Sequence, residues 1–589
     1  MPKWQQKLVR LCLLVLLFLA ASKGLFELGR IILLESQGPL DADSTIYFTI
    51  GRGILNGYKL YTSDFFDVQP PGIFLLTAAS LLVTGDQRLA TWLAVASLVA
   101  LPVALSIVAF RESRPSEPIL RAILTLFALT LGILITLYLE ERVPTIETQL
   151  FGGVLGALFA LVMIGYPDRF DGKRSMLAGV LLLGSIGIKE PFLLTNLAAA
   201  LLLARHRKHF LHAFLLPLGI AGLLGIVILF GMGILVPYIK SFSVTLTYRG
   251  GSLADQFGPI AIRPLAVRML HKNMTLLYAH SPLFAYVLWF LWSRCPAYHG
   301  QKNSAVRLSA TIYLFLGFAA GALLMNTAYQ LLFARYIALE GLKILDPFFI
   351  RHTLETFVLA IVLLPPTLFW IYRRHMVPRF ALSLIALGLT SLSVGSSMYS
   401  GNHFGFAIPV YAALALLFVQ ESAHHKKITP SFLMGSILTI FAMGMFTANP
   451  KHIAYLQNRM GFTYAAQKER IERLDALMDR CVLERYYNEA MAELAMARHS
   501  PFGPMVMQFD SLPKDHPLHQ KTVDNVLEHA RLVVAAEDYE NPDPSPTKNL
   551  MISKLREHIP KEFTKEPPPC ATPFEPIEGF TVWFRRDLF

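Results

Sequence analysis

The sequence predicts a polytopic α-helical membrane protein of about 13 transmembrane helices, followed by a small C-terminal α/β domain. Three observations predict it. Of 589 residues, 54% are hydrophobic and only 16% are charged, against about 25% charged in a typical soluble domain; mean hydropathy is +0.47. The apolar residues fall in runs of about 20, the length that crosses the hydrocarbon core of a bilayer. Basic residues cluster in alternate loops between those runs. The same composition excludes disordered, collagen-like and disulfide-scaffold chains, and no single soluble core would bury so much apolar chain. The net charge of +12 belongs in cytoplasmic loops of such a protein and does not call for nucleic acid.

The first span runs from about Leu8 to Leu34, behind Lys3, Lys7 and Arg10. A signal peptide cleaved near Ala21 is the rival reading, but the apolar run continues to Leu34, too long for a signal core. Further spans read at 88–110, 119–139, 149–165, 176–188, 191–204, 211–236, 275–293, 306–328, 354–372, 380–398, 404–420 and 431–448. The two that flank Ile188 and Pro191 are short and are expected to be tilted or broken. Pro70–Gly85 is apolar but below spanning length, and is read as interfacial.

Loop charge supports that reading. With Pro70–Gly85 at the interface, one set of loops holds Arg111/Arg114/Arg121, Arg169/Lys173/Arg174, Arg205/Arg207/Lys208, Arg294/Lys302/Arg307, Arg373/Arg374/Arg379 and Lys426/Lys427. All are basic, as cytoplasmic loops tend to be. If Pro70–Gly85 spanned, every cluster would lie outside. The expected topology has a cytoplasmic N-terminus and an outside tail. His424–His425 lack metal-ligand spacing and belong to an ordinary basic loop. The expected organisation is 1–34 as first helix, 35–87 as outside loop, 88–448 as transmembrane helices 2–13, and 449–589 as tail domain.

After Asn449 the chain turns polar. Gln467–Met496 carries helical spacing in Ile471, Leu474, Leu477, Met478, Cys481 and Leu483. Met505–Phe509, Arg531–Ala535 and Phe580–Arg585 read as strands. The four cysteines form no scaffold or metal pattern. Cys12 lies in the first span and Cys295 in an inside loop. Cys481 and Cys570 both fall in the tail, where an oxidising compartment permits a bond. Pairing cannot be read from sequence alone, so a bond and two free thiols both stay open; a bond would add roughly 4 kcal/mol through loop entropy.

The chemistry-bearing segment is the first outside loop, DADSTIYFTIGRGILNGYKLYTSDFFDVQPPGIF, from Asp41 to Phe74. An acidic start leads a helical stretch, Ser44–Leu55, which Gly57 stops. An aromatic turn with Asp64 and Asp67 follows, then Pro70–Pro71–Gly72. By composition alone the aspartates could simply face water. The motif resembles the first loop of polyprenyl-phosphate-sugar-dependent glycosyltransferases of the GT-C fold, notably the protein-mannosyltransferase-like and aminoarabinose-transferase-like bacterial enzymes. Three later segments are similar to the family's landmarks in order: LEERVPTIETQLFGG from Leu139, GSIGIKEPFLL from Gly184, and GNHFGFAIPVYAAL from Gly401. The resemblance covers about residues 1–450.

It implies a bacterial inner-membrane enzyme that moves a sugar from a polyprenyl-phosphate donor to an envelope glycan, glycolipid or protein on the periplasmic face. The sugar arrives already activated, so no nucleotide fingerprint is needed, and none is present. Asp43 matches the family's acidic position and would serve as base or orienting group for the acceptor hydroxyl, with Asp41 as its neighbour. Lys189 would meet the leaving phosphate; its ordinary alternative is a snorkelling lysine paired with Glu190. Arg351 and His403 are further phosphate candidates. Gln69 stands where many members carry a lysine or histidine, and can donate a hydrogen bond but no charge. Asp67 and Glu147, with Glu141 nearby, could hold a divalent cation such as Mg or Mn or face the acceptor. Two other readings compete. An O-antigen-ligase-like or polymerase-like enzyme would concentrate arginine and histidine in a late outside loop. A lipid-linked-sugar transporter would carry repeated halves and mid-helix charges; neither feature is found here.

Overall fold

The computed structural model describes residues 3–37, 42–62, 65–66, 69–139, 148–166, 169–204, 207–241, 389–390, 405–445, 464–483, 485–488, 500–501, 505–506, 517–535, 540, 550–577 and 580–589. The protein is a helical membrane protein. Among the described residues, five helices are long and apolar enough to cross a bilayer: Trp4–Leu33, Arg88–Glu112, Pro118–Leu137, Lys208–Gly231 and Gly405–His425. The spans expected between 275 and 398 lie outside the described residues, apart from 389–390.

Helix α1 (Lys3–Gln37) packs on α12 (Pro430–Met445) and on α5 (Pro118–Leu139), which packs on α4 (Arg88–Glu112). Helix α6 (Thr148–Ile164) is buried on nearly every side, and α11 (Ile408–His425) packs along it. These two form the centre. The periphery is α1, α4 and α10 (Leu216–Gly231), which present Phe18, Phe26, Trp92, Leu223 and Phe230 outward, as helices facing lipid do. The short α9 (Arg207–Phe210) enters α10 through a π turn at Leu211–Leu215. Pro217, which lacks an N–H, follows directly, and the wide turn accommodates the missing bond.

Two ends of the bundle are distinguishable. At one, Arg10 pairs with Glu117 at 2.5 Å and Gln420 Nε2 donates to Glu112 Oε2 at 3.0 Å. Asp171 caps α7 (Gly172–Ile188) there by accepting from the amides of Lys173 and Arg174. The other end holds α2 (Ala42–Leu55) and α3 (Gly72–Thr84). Thr77 Oγ1 of α3 donates to the Tyr47 carbonyl of α2 at 2.7 Å. With 13 residues, α3 is about 20 Å long, short of the hydrocarbon core, and it stops at Gly85 in the left-handed conformation, φ +75°. Helix α7 ends before Lys189, and α8 (Phe192–Leu203) restarts after Pro191. At 12 residues, or about 18 Å, α8 is a short helix, as its sequence predicts.

In the tail, five strands form a sheet in the order β3 (Ser500–Pro501), β2 (Arg485–Asn488), β5 (Leu532–Ala535), β7 (Thr581–Arg585), β6 (Phe563–Thr564). Strand β2 runs parallel to β3 and β5, while β7 is antiparallel to β5 and β6. Alternate residues of β5 enter two separate cores. Val533 and Ala535 pack with Val526, Leu555 and Trp583 under α14 (Pro517–His529) and α15 (Leu550–Glu562). Leu532 and Val534 pack with Leu474, Met478, Tyr486 and Phe584 under α13 (Tyr464–Arg480). Cys481 and Cys570 are joined by a disulfide, with Cα atoms 5.1 Å apart, which closes this second layer.

One expectation is corrected. The helical spacing through Gln467–Met496 does not continue as helix: α13 stops at Arg480 and the chain becomes β2. Val482 takes φ +51° and turns Leu483 back into the core, where strand pairing with β5 outweighs local periodicity.

Candidate functional site

The four segments singled out in the sequence converge at the first-loop end of the bundle. Pro70–Pro71–Gly72 delivers α3 directly onto the end of α7. A Cβ at Gly72 would stand 2.4 Å from the Gly187 carbonyl oxygen, so only glycine permits this approach. Lys189 leaves α7 in extended backbone, φ −159° and ψ 127°. Its Nζ lies 3.4 Å from Thr148 Oγ1, at the start of α6, and 5.9 Å from the centre of the Phe406 ring, within cation–π range. Gly405 approaches Gln149 so closely that a Cβ would meet its side chain at 2.6 Å. Thr148 Oγ1 donates to Gln149 Oε1 at 2.8 Å.

Glu190 faces another way. Its Oε1 accepts from the Tyr238 hydroxyl at 3.1 Å. Tyr238 lies in a helix over 235–241, beyond the break at Gly233, φ +68°. Burial pushes the Tyr238 phenol well above its ordinary value, and the neighbouring Glu190 carboxylate adds to the shift. At neutral pH the phenol is protonated in any case, and it donates to Glu190. Tyr238 packs on Tyr61, ring centres 5.0 Å apart. Tyr61 itself sits at φ +61°, a left-handed conformation that costs a side-chain-bearing residue about 1–2 kcal/mol. Its burial and a 2.6 Å hydrogen bond to the Gln69 carbonyl hold it there. Strain of this kind is retained where surrounding packing over-determines it.

Behind these residues lies a cavity of about 880 Å³ between α3, α4, α6, α7 and α10. Pro70, Pro71, Glu190 and Tyr238 line it at the first-loop end. From there it runs past Leu76, Leu183 and Ile226 to Ser97, Leu158 and Leu218, almost wholly apolar. From Leu229 to Leu218 along α10 it extends about 16 Å.

Of the residues expected from sequence, Lys189 and Gln69 are placed in this arrangement; Gln69 also meets the Tyr47 hydroxyl at 3.4 Å. Asp43 falls in the first turn of α2, and its side chain is outside the described residues. So are Asp41, Asp67, Glu141, Glu147, Arg351 and His403, and with them the candidate cation ligands. Sequence reading passed over Tyr61, Tyr238, Thr148 and Phe406. Tyr61 had a signal, an aromatic two residues after the lysine in the first-loop motif; Tyr238 had none beyond a proline before it.

The chain matches no family model, no curated protein and no solved structure.

Proposed function

We propose that this chain is an integral-membrane glycosyltransferase of the GT-C type, moving a sugar from a polyprenyl-phosphate donor to a cell-envelope acceptor at the outer face of a bacterial inner membrane. The observation that carries the reading is the apolar cavity that begins at Pro70–Pro71 and Glu190–Tyr238 and descends along the helices. Its walls suit a hydrocarbon chain, and its polar mouth suits a headgroup. Lys189, at the same end, would neutralise the phosphate as the bond from the anomeric carbon to the phosphate oxygen breaks. The acceptor hydroxyl would attack that carbon and pass its proton to Asp43, and the lipid phosphate would leave. The Glu190–Tyr238 pair would orient sugar hydroxyls.

The topology proposed with it puts Arg207 and Lys427 in the cytoplasm, and Asp43, Gln256 and the tail outside. Two features support it: the basic clusters at the opposite end, and the tail disulfide, which suits an oxidising compartment. Reporter fusions at those positions test it; a cytoplasmic tail would sink the periplasmic site. The reaction is tested by mass spectrometry of envelope glycans with and without the protein. Loss of one sugar unit from one glycan is expected. Identical glycan profiles would overturn the reading.

A further inference from the structure

The first loop does not stand alone above the bundle. Phe65–Phe66, designated β1, lies between Asp64 and Asp67 and pairs in parallel with β4 (Met505–Val506) of the tail, Phe65 opposite Met505. Helix α2 also packs on β3. Ile471 of α13 touches both the first-loop core, with Tyr47, Phe48 and Phe74, and the tail core, with Leu474 and Tyr486. At the same junction Arg52 follows Phe48 by one helical turn on α2, and Asp475 follows Ile471 by one turn on α13; the half-buried Arg52 guanidinium is within electrostatic reach of Asp475 and Tyr486.

We propose that the C-terminal domain is a clamp on the first loop, with Arg52 as the positioning residue that fixes α2, through Asp475, in the orientation the reaction needs. This rests on the transferase reading, because α2 is the helix that carries Asp43. An unclamped loop of this kind would be costly to order. Helix α2 packs on α3, but β1 is a two-residue strand whose partner among the described residues is β4 of the tail. A backbone segment so short gains its order from the strand it joins. The charge pair adds direction: a guanidinium half-removed from water is held more firmly by a carboxylate than an exposed one would be. Burial alone would lower the Arg52 pKa, and Asp475 and Tyr486 act against that. The tail would thereby hold β1 from one side while α3 holds α2 from another.

The clamp is tested on the full-length protein in lipid nanodiscs by hydrogen exchange. Arg52→Gln and Asp475→Asn should each speed exchange in peptides covering 42–66 by about tenfold, with peptides of α4 and α7 unchanged. Arg52→Lys, which keeps the charge, should stay within about twofold of the wild type. Unchanged exchange over 42–66 in either neutral variant overturns the clamp. Should Arg52→Gln fail to accumulate, Asp475→Asn asks the same question from the tail side. The second readout is kinetic: Arg52→Gln should lower kcat about tenfold with donor KM within about twofold, and Arg52→Lys should recover it. An unaltered kcat overturns the positioning role. Exchange is read without any substrate, so a wild type that transfers no sugar sinks the transferase reading and leaves the exchange result to decide the clamp.

Discussion

The two ends of the helix bundle are built on different principles. The basic end is held by single polar contacts at or near the surface: the Arg10–Glu117 pair, the half-buried Gln420–Glu112 hydrogen bond and the Asp171 cap. Each can be lost singly at small cost, since exposed pairs contribute little. The first-loop end is built from close approaches and strain. Glycine lies against a carbonyl, a tyrosine is held at positive φ, and a carboxylate accepts from a half-buried phenol. One end only has to face water on the correct side. The other holds particular atoms at particular places, as the proposed transfer would require.

That contrast can be broken most decisively at Asp43. Asp43→Asn should reduce transfer by about 10²–10⁴-fold with folding intact, because a general base contributes that much. Lys189→Ala should weaken donor use as well, through loss of the phosphate's cation. Near-normal transfer by Asp43→Asn would move the base to Asp41 or Glu147.

The tail belongs to the precise end by its attachment to the first loop, and its disulfide spans 89 residues. Cys481→Ser should cost between about 4 and 5 kcal/mol of tail stability by loop-closure entropy, read as a lowered midpoint in chemical denaturation. Thiol labelling of the denatured protein should find two reactive cysteines, Cys12 and Cys295, before reduction. Four would disprove the bond.

Gly72→Ala sharpens the comparison at the level of single atoms. The added Cβ has no room against Gly187, so α3 or α7 must shift, with an expected loss of about 1–3 kcal/mol in thermal unfolding. Gly29→Ala is the control: nothing stands within 4 Å of a Cβ there, and stability should change by less than about 0.5 kcal/mol. The smallest effect is expected at the other end. Arg10→Ala should cost less than about 1 kcal/mol and leave transfer unchanged; a large loss of activity would mean the basic end does more than face water.

Much of this was legible in the chain. The segments 88–110 and 119–139 became α4 and α5 nearly to the residue, because an apolar run in lipid can satisfy its backbone only as helix. The Ser44–Leu55 helix, its stop at Gly57 with φ +83°, and the short α3 were equally readable from capping and length. The tail was less so. Helical spacing runs on past Arg480 into Leu483, yet the segment from Arg485 is a strand whose partners lie 15 and about 46 residues away in sequence.

The sequence by itself determined the membrane class, the polarity of the loops and the acidic first-loop motif. Each is a local property: a run of apolar side chains, a cluster of like charges, a string of turn residues beside aspartates. Only the tertiary structure decided that Gly72 meets Gly187, that Lys189 reaches Thr148 and Phe406, that Tyr61 packs on Tyr238 at the cavity mouth, and that a tail strand pairs with the first loop. A cavity is the space left after distant helices pack, and a strand pair across more than 400 residues leaves no period in either segment. Those contacts exist because buried groups must find partners and close-packed surfaces must fit, and both conditions are set by the whole fold at once.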